Sequence, residues 1–297
     1  MSSLSPRVVL VTRATELAAL LAHHGTRGQV EFFLSARGQD FGDVARRDAV
    51  QATAIKQVKQ AIPADWSFAH VWRDDLNRFL FFPNDIVVAL GQDGLVANLA
   101  KYLNGQPVIG VSPDAAMGEG VLTPHALNAV PDLLRRAAHQ DVDVAARSMV
   151  MAHSAGGDSL LALNELFIGH RSHQSARYDL AFGDETEFQS SSGLIVSTGT
   201  GLTGWAKSIM AATHTDFDIA PTARQAAFFA REPWPSRNSG CALRSGIVDA
   251  RHSLRITSRI NEGGVIFADG IEQDFLTFDW GTSADVTIAD QTLRMVS

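Results

Sequence analysis

Cysteine is nearly missing from this chain. Its 297 residues contain one, Cys241, so neither an intramolecular disulfide nor a cysteine-built metal cluster can form. A lone thiol fits a reducing compartment. There is no basic block either. The formal net charge is −7, and the densest basic pairs, Arg46-Arg47 and Arg135-Arg136, fall in helix-like segments as solvated faces. Nucleic acid is therefore not an expected partner. Long apolar runs are also lacking. The opening MSSLSPRVVLVTR reaches Arg13 and Glu16 after a run too short for a signal-peptide core or a membrane span. No membrane partner is expected, and the expected location is the cytoplasm. No internal repeat or long low-complexity tract interrupts the chain. With 45% hydrophobic and 19% charged residues, it has the composition of a globular protein and the length of two domains.

Strands and helices alternate in the first half. Short apolar runs at 7–11, 66–72, 86–90 and 107–111 read as strands. Helical spacing covers 15–22 (closed by Gly25), 43–61, 95–103 and the end of 124–139. This order predicts a parallel sheet with right-handed crossovers. After Asp141 strands dominate, at 143–152, 160–169, 176–182, 193–198, 243–249, 253–258, 264–268, 275–280, 285–289 and 292–296. One helix, at 203–212, interrupts them, and 231–240 is a Pro-rich loop. The expected fold class is α/β plus β. A Rossmann-like parallel-sheet domain spans 1–140, and a β-rich, sandwich-like nucleotide-binding domain spans 141–297.

Three segments carry the chemistry. In the first, the buried run Asp85 to Leu90 meets Gly91-Gln92-Asp93-Gly94, and a helical pattern follows through Leu95, Val96, Leu99 and Leu103. A helix N-terminus after a glycine turn gathers backbone N–H groups that suit an anion. Glycine permits positive φ and close approach. Asp93 there can take the proton of a hydroxyl that attacks a phosphoryl group, or it can simply cap the helix. In the second segment, Asn164 and Glu165 sit inside an apolar strand. They either satisfy each other's backbone in a bulge or offer an acceptor and a donor to a nucleoside. The third is Gly193 to Trp205, where a strand ends in Thr198-Gly199-Thr200-Gly201 and turns into a helix. Its hydroxyls and bare backbone suit a pyrophosphate or a nucleoside; the alternative is a plain connection with Thr203 as N-cap.

In this order the three segments resemble the NAD kinase family, which carries a GGDG turn, then an Asn-Glu pair, then a Thr/Gly loop after a GLIVST-like strand. GLIVST stands unaltered at Gly193 to Thr198. The mitochondrial-type branch is the nearer match, through Ser191-Ser192-Gly193, Trp205, Arg231-Glu232-Pro233 and the pattern from Gly110 to Asp114. The resemblance runs from about residue 85 to the C-terminus. It implies ATP-dependent phosphorylation of the 2′-hydroxyl of the NAD adenosine ribose, with Mg²⁺ brought by ATP and no protein metal cage. It implies Asp93 as the base, with Gly91 and Gly94 shaping the turn. Asn164 and Glu165 would hold the adenosine, and Thr198, Gly199, Thr200, Gly201 and Thr203 would line the same nucleotide. It also implies a homo-oligomer, dimer or tetramer.

Four positions depart from the family pattern: Gln92 and Leu95 in and after the turn, and Leu202 and Gly204 in the loop. A residue other than glycine at 92 would cost on the order of 1 kcal/mol if that backbone needs positive φ. Leu95 removes a hydroxyl. These departures motivate a second reading, a dinucleotide-binding sensor without kinase activity. A third is a kinase for another hydroxyl acceptor. Elsewhere, His170 and His173 are read as loop residues, because a strand puts positions three apart on opposite faces. Ser154 to Asp158 reads as a hairpin turn, and the pairs Phe32-Phe33, Phe81-Phe82 and Phe228-Phe229 as core or subunit contacts.

Overall fold

The computed structural model describes residues 6–114 and 120–297. The chain divides into two units. Unit 1 runs to Ala145 and also takes in Arg294–Ser297; unit 2 is Ala146–Leu293. The last four residues thus belong with the first unit, whereas the sequence reading runs the second domain to the end.

Unit 1 is built on four parallel strands, β1 (Arg7–Thr12), β2 (Ser67–Trp72), β3 (Asp85–Leu90) and β4 (Pro107–Val111), in the order β2-β1-β3-β4. Arg294 and Met295 extend the sheet beside β4, also in parallel. All six residues of β3 are buried, as expected of a strand covered on both faces. The helices are α1 (Glu16–His24), α2 (Arg27–Ser35), α3 (Phe41–Ala61), α4 (Asp93–Ala100) and α5 (Val130–Ala138). Ala54 and Val58 of α3 and Leu134 of α5 pack on Val8, Leu10, Ile86 and Val88. Each buried Val, Leu or Ile among them contributes about 2 kcal/mol. Thr15 starts α1 by accepting the Ala18 N–H, and Gly25 ends it at φ 84°. The sequence reading missed α2. Gly28 and three polar neighbours blur its periodicity, yet Val30 and Leu34 bury it against Leu17 and Val44.

Unit 2 is a two-sheet sandwich. Its elements are β5 (Val144–Ser154), β6 (Ser159–Ala162), β7 (Glu165–His170), β8 (Ala176–Phe182), β9 (Glu185–Ser191), β10 (Leu194–Thr198), α6 (Trp205–Thr213), β11 (Ala226–Ala230), β12 (Ser245–Val248), β13 (Leu254–Ser258), β14 (Gly264–Ala268), β15 (Phe275–Thr277) and β16 (Ser283–Val296). One antiparallel sheet has the order β12-β11-β10-β7-β14-β15. The other runs β16-β13-β8-β9, with β5 and β6 forming a hairpin whose turn is the predicted 154–158. Leu166, Ile168, Val196 and Phe228 of the first sheet meet Tyr178, Leu180, Ile256 and Val286 of the second. On the outer face of the first, Ala206 of α6 covers Phe167, Ile195 and Phe229.

The α/β-plus-β class is the one observed. Several boundaries differ from expectation. The strand expected over 160–169 is two, β6 and β7, broken at Leu163-Asn164, so Asn164 is not inside a strand. The strands expected at 285–289 and 292–296 are one, β16. β9 and β11 were not expected. The helix expected at 203–212 begins only at Trp205, after a 3₁₀ turn over Gly201–Thr203.

Candidate active site

In unit 1 the turn after β3 is set by a close approach on the neighbouring strand. A Cβ on Gly110 would lie 1.8 Å from the Leu122 carbonyl oxygen. Only glycine there lets the segment after residue 120 lie against β4, where His125 N donates to the Gly110 carbonyl at 3.2 Å. That segment holds Asp93. Val121 N donates to Oδ2 at 2.9 Å, while Leu122 N and Thr123 Oγ1 donate to Oδ1 at 3.0 and 3.1 Å. Gly120 makes room for this: a Cβ would sit 2.2 Å from Asp93 Oδ1.

Asp93 is the first residue of α4, and Gln92 is the N-cap, with no side-chain capping bond. The capping alternative for Asp93 is thereby replaced by the 121–123 clamp. Gln92 has φ −103° and ψ 165° and is exposed, so the positive φ feared at this position does not occur. Neither Gly91 nor Gly94 has positive φ. Gly91 instead lacks a Cβ that would crowd Leu95 Cδ2 at 3.1 Å, and Gly94 is open to solvent. Leu95 is 1% exposed, so it belongs to the interior rather than to a ligand surface.

In unit 2 the break between β6 and β7 is held from two sides. The Asp269 carboxylate accepts from Leu163 N at 3.0 Å, Asn164 N at 2.7 Å and Glu165 N at 3.3 Å. From the other side, Thr198 Oγ1 donates to the Leu163 carbonyl at 2.6 Å, and Thr198 N donates to the Asn164 carbonyl at 2.9 Å. Thr200 N and Gly201 N both donate back to Thr198 Oγ1 at 3.2 Å. The buried Thr198 hydroxyl is therefore a brace between the loop and the Asn-Glu backbone. Gly201 and Gly199 serve close packing: a Cβ on the first would meet the Asn164 carbonyl oxygen at 2.2 Å, and on the second the Ile219 carbonyl oxygen at 2.3 Å. Thr203 donates to the Thr200 carbonyl at 2.9 Å, while the residue that starts α6 is Gly204, not Thr203.

All the backbone groups at 163–165 are thus engaged, but the side chains are not. Among the described residues, neither the Asn164 amide nor the Glu165 carboxyl makes a side-chain hydrogen bond, although both residues are half-buried. Burial, and then the nearby Asp269 charge, push the Glu165 carboxyl up to about 7. Near neutrality it can therefore donate as well as accept. Half-buried polar ends without partners are the chemistry of a ligand contact.

Asn164, Glu165, Thr198, Gly199, Thr200, Gly201 and Thr203 come together in unit 2; Gly91, Asp93 and Gly94 lie together in unit 1. Two further motif residues also meet, for the Arg231 guanidinium lies 5.0 Å over the Trp205 ring. His170 accepts from Ser172 N at 3.0 Å and His173 is exposed. No cluster of three or more His, Cys, Asp or Glu side chains could hold a metal among the described residues. Phe228 and Phe229 are core, while Phe32 and Phe82 are exposed. Sequence reading missed Asp269, Thr123 and Gly120, and it placed Gly110 in a motif without its packing role. Asp269-Gly270 reads locally as turn punctuation after β14, and nothing near Thr123 marks it.

No protein-family model matches the chain. An NAD kinase from Cupriavidus pinatubonensis (strain JMP 134 / LMG 1197) is 35% identical over 133 residues, 42% of this chain and 42% of that protein. The chain thus matches less than half the length of this curated relative. An NAD kinase from Archaeoglobus fulgidus, in complex with ATP, superposes over 98% of this chain and 93% of that one, with a TM-score of 0.60 at 18% identity. The chain has the NAD kinase fold. Within that NAD kinase fold, unit 1 supplies the parallel-sheet part with the clamped Asp93, and unit 2 the sandwich with the Asn164–Glu165 pair.

Proposed function

We propose that the protein is an ATP-dependent NAD kinase, phosphorylating the 2′-hydroxyl of the NAD adenosine ribose to give NADP. The observation that carries this is the Asn164–Glu165 pair, whose backbone is fixed on both sides and whose polar side-chain ends have no hydrogen-bond partner among the described residues. Such a pair can hold an adenosine by one amide and one carboxyl. Asp93 then accepts the hydroxyl proton. As the O–H bond breaks, the oxygen attacks the γ-phosphorus of ATP, and the bond from that phosphorus to ADP is broken. Asp93 Oδ2 takes one donor among the described residues, so it retains acceptor capacity for that proton. Thr198, Gly199, Thr200, Gly201 and Thr203 shape the loop beside the pair, and Gly91 and Gly94 the turn around Asp93. Mg²⁺ arrives on the ATP phosphates.

Gln92 has an extended backbone, so it carries none of the strain that motivated a sensor without activity. We place the reaction in the cytoplasm, with the single cysteine as support. A homo-oligomer is part of the same reading, supported by exposed Phe275 and Trp280 in unit 2; light scattering on the purified protein tests it.

The deciding assay supplies NAD, ATP and Mg²⁺ and scores NADP. Asp93→Asn should lower kcat by at least about 10²-fold while calorimetric NAD binding persists. Undiminished turnover in that variant refutes the base assignment, and a wild-type protein that forms no NADP refutes the activity.

A further inference from the structure

Three successive backbone N–H groups, those of Leu163, Asn164 and Glu165, converge on one carboxylate. An extended strand cannot do this, because its successive amides face opposite ways. Amides turned to one side form a concavity that binds an anion. Here the anion is a side chain of the same chain, Asp269, from the turn after β14. It is locked in return, with its own N–H donating to the Glu165 carbonyl at 3.0 Å. Asp269 also has φ 51°, a left-handed conformation that costs a non-glycine residue on the order of 1 kcal/mol. A strained residue held by four reciprocal hydrogen bonds is over-determined by its surroundings.

We propose that Asp269 is the positioning residue of the Asn164–Glu165 pair: its carboxylate fills the backbone concavity at 163–165 and so fixes the backbone that presents both side chains to the ligand. The proposal rests on the reading that this pair contacts the NAD adenosine. Two consequences separate it from a merely structural turn. The first is geometric. Without an anion in the concavity the three amides lose their common acceptor, and the backbone that carries both side chains relaxes. The second is electrostatic. Glu165 is held up to about 7 by burial first and by the Asp269 charge second, so removing that charge moves its titration toward the ordinary carboxylate range. An ionised Glu165 can only accept, and an acceptor on the ligand then loses its donor.

The test substitutes Asp269→Asn in the full-length protein. The variant keeps size, and its Oδ1 can still accept from Asn164 N. It loses the charge and the second accepting oxygen. Glu165 titration is followed by carbon-13 NMR of the side-chain carboxyl without any substrate. KM for NAD and kcat are followed from pH 6 to 9. The expected result is a lower Glu165 midpoint and a KM raised about tenfold at pH 7, with kcat at saturating NAD within about twofold. The alkaline rise in KM should begin at lower pH than in the wild type. An unmoved midpoint and an unchanged KM overturn the proposal. So does an equal fall in kcat and kcat/KM with an unshifted pH profile, which is the mark of general damage. If Asp269→Asn does not fold, Glu165→Gln decides. It should abolish the pH dependence of NAD affinity between pH 6 and 9, and persistence of that dependence overturns the proposal. A wild type that forms no NADP refutes the kinase reading, while the NMR titration still reports on Asp269.

Discussion

The Asp93 carboxylate is held in place by its own chain, as the proposed base requires. Two backbone amides and a threonine hydroxyl fix the carboxylate, so little reorientation is left for the reacting state. Gly120→Ala tests this at one atom. The new Cβ would lie 2.2 Å from Oδ1, so the carboxylate or the segment must move. We expect kcat to fall about 10²-fold with NAD affinity unchanged, read by steady-state kinetics beside calorimetry. Gln92→Gly should do nearly nothing, changing stability by less than about 0.5 kcal/mol in urea melts and creating no new activity, because Gln92 is exposed and extended. Glu165 makes a pH prediction. Its folded-state value is raised above the ordinary one. The stability it contributes is therefore fullest below the ordinary carboxylate range and is lost as pH rises through about 7. Between pH 4.5 and 7.5 the wild type should lose a few kcal/mol more than Glu165→Gln, measured by urea unfolding. At this scale much was legible. Asp93, Asn164 and Glu165 stand out in sequence as polar residues among glycines and aliphatics. Asp269 does not, because its partners lie more than a hundred positions away.

Elements are shaped here by contacts that no local window contains. β6 and β7 read as one strand because Leu160 to Ile168 is almost wholly apolar; the break depends on Asp269 and Thr198, both remote. β9 was missed because Glu185, Thr186, Glu187 and Gln189 give it the texture of a loop. It lies at the end of its sheet, where polar residues are tolerated. Conversely β1, β3 and α3 were legible, since burial on both faces or one long stripe leaves a periodic mark. The Thr198 brace gives the element-scale prediction. Thr198→Val removes one hydroxyl that serves the Leu163 carbonyl and the amides of Thr200 and Gly201, all buried. The loss should be on the order of 3 kcal/mol in denaturant unfolding. NAD affinity should fall with it, because the loop and the Asn164 backbone share that hydroxyl.

For the whole molecule the order of the chain matters as much as its content. Unit 1 needs residues from both ends of the sequence. Met295 pairs with Val108, His125 Nε2 meets the Val296 carbonyl at 3.0 Å, Ser297 N donates to the Asp143 carbonyl at 2.9 Å, and Val296 is core. Deleting 294–297 should therefore destabilise unit 1 by about 3 kcal/mol, seen as faster amide exchange in β1 and β3 while the sandwich of unit 2 keeps its protection.

Such an arrangement has a temporal side. A ribosome releases residues from the N-terminus onward, at roughly 5–20 per second. Everything unit 2 requires, through Leu293, is in hand before the residues that close the first sheet emerge. The unit made first is thus the last to be finished. Throughout synthesis β4 presents an open parallel edge, a template for stray strands. Residues 294–297 act as the seal on that edge, so a chain that stopped short of them would leave a nascent protein prone to clumping.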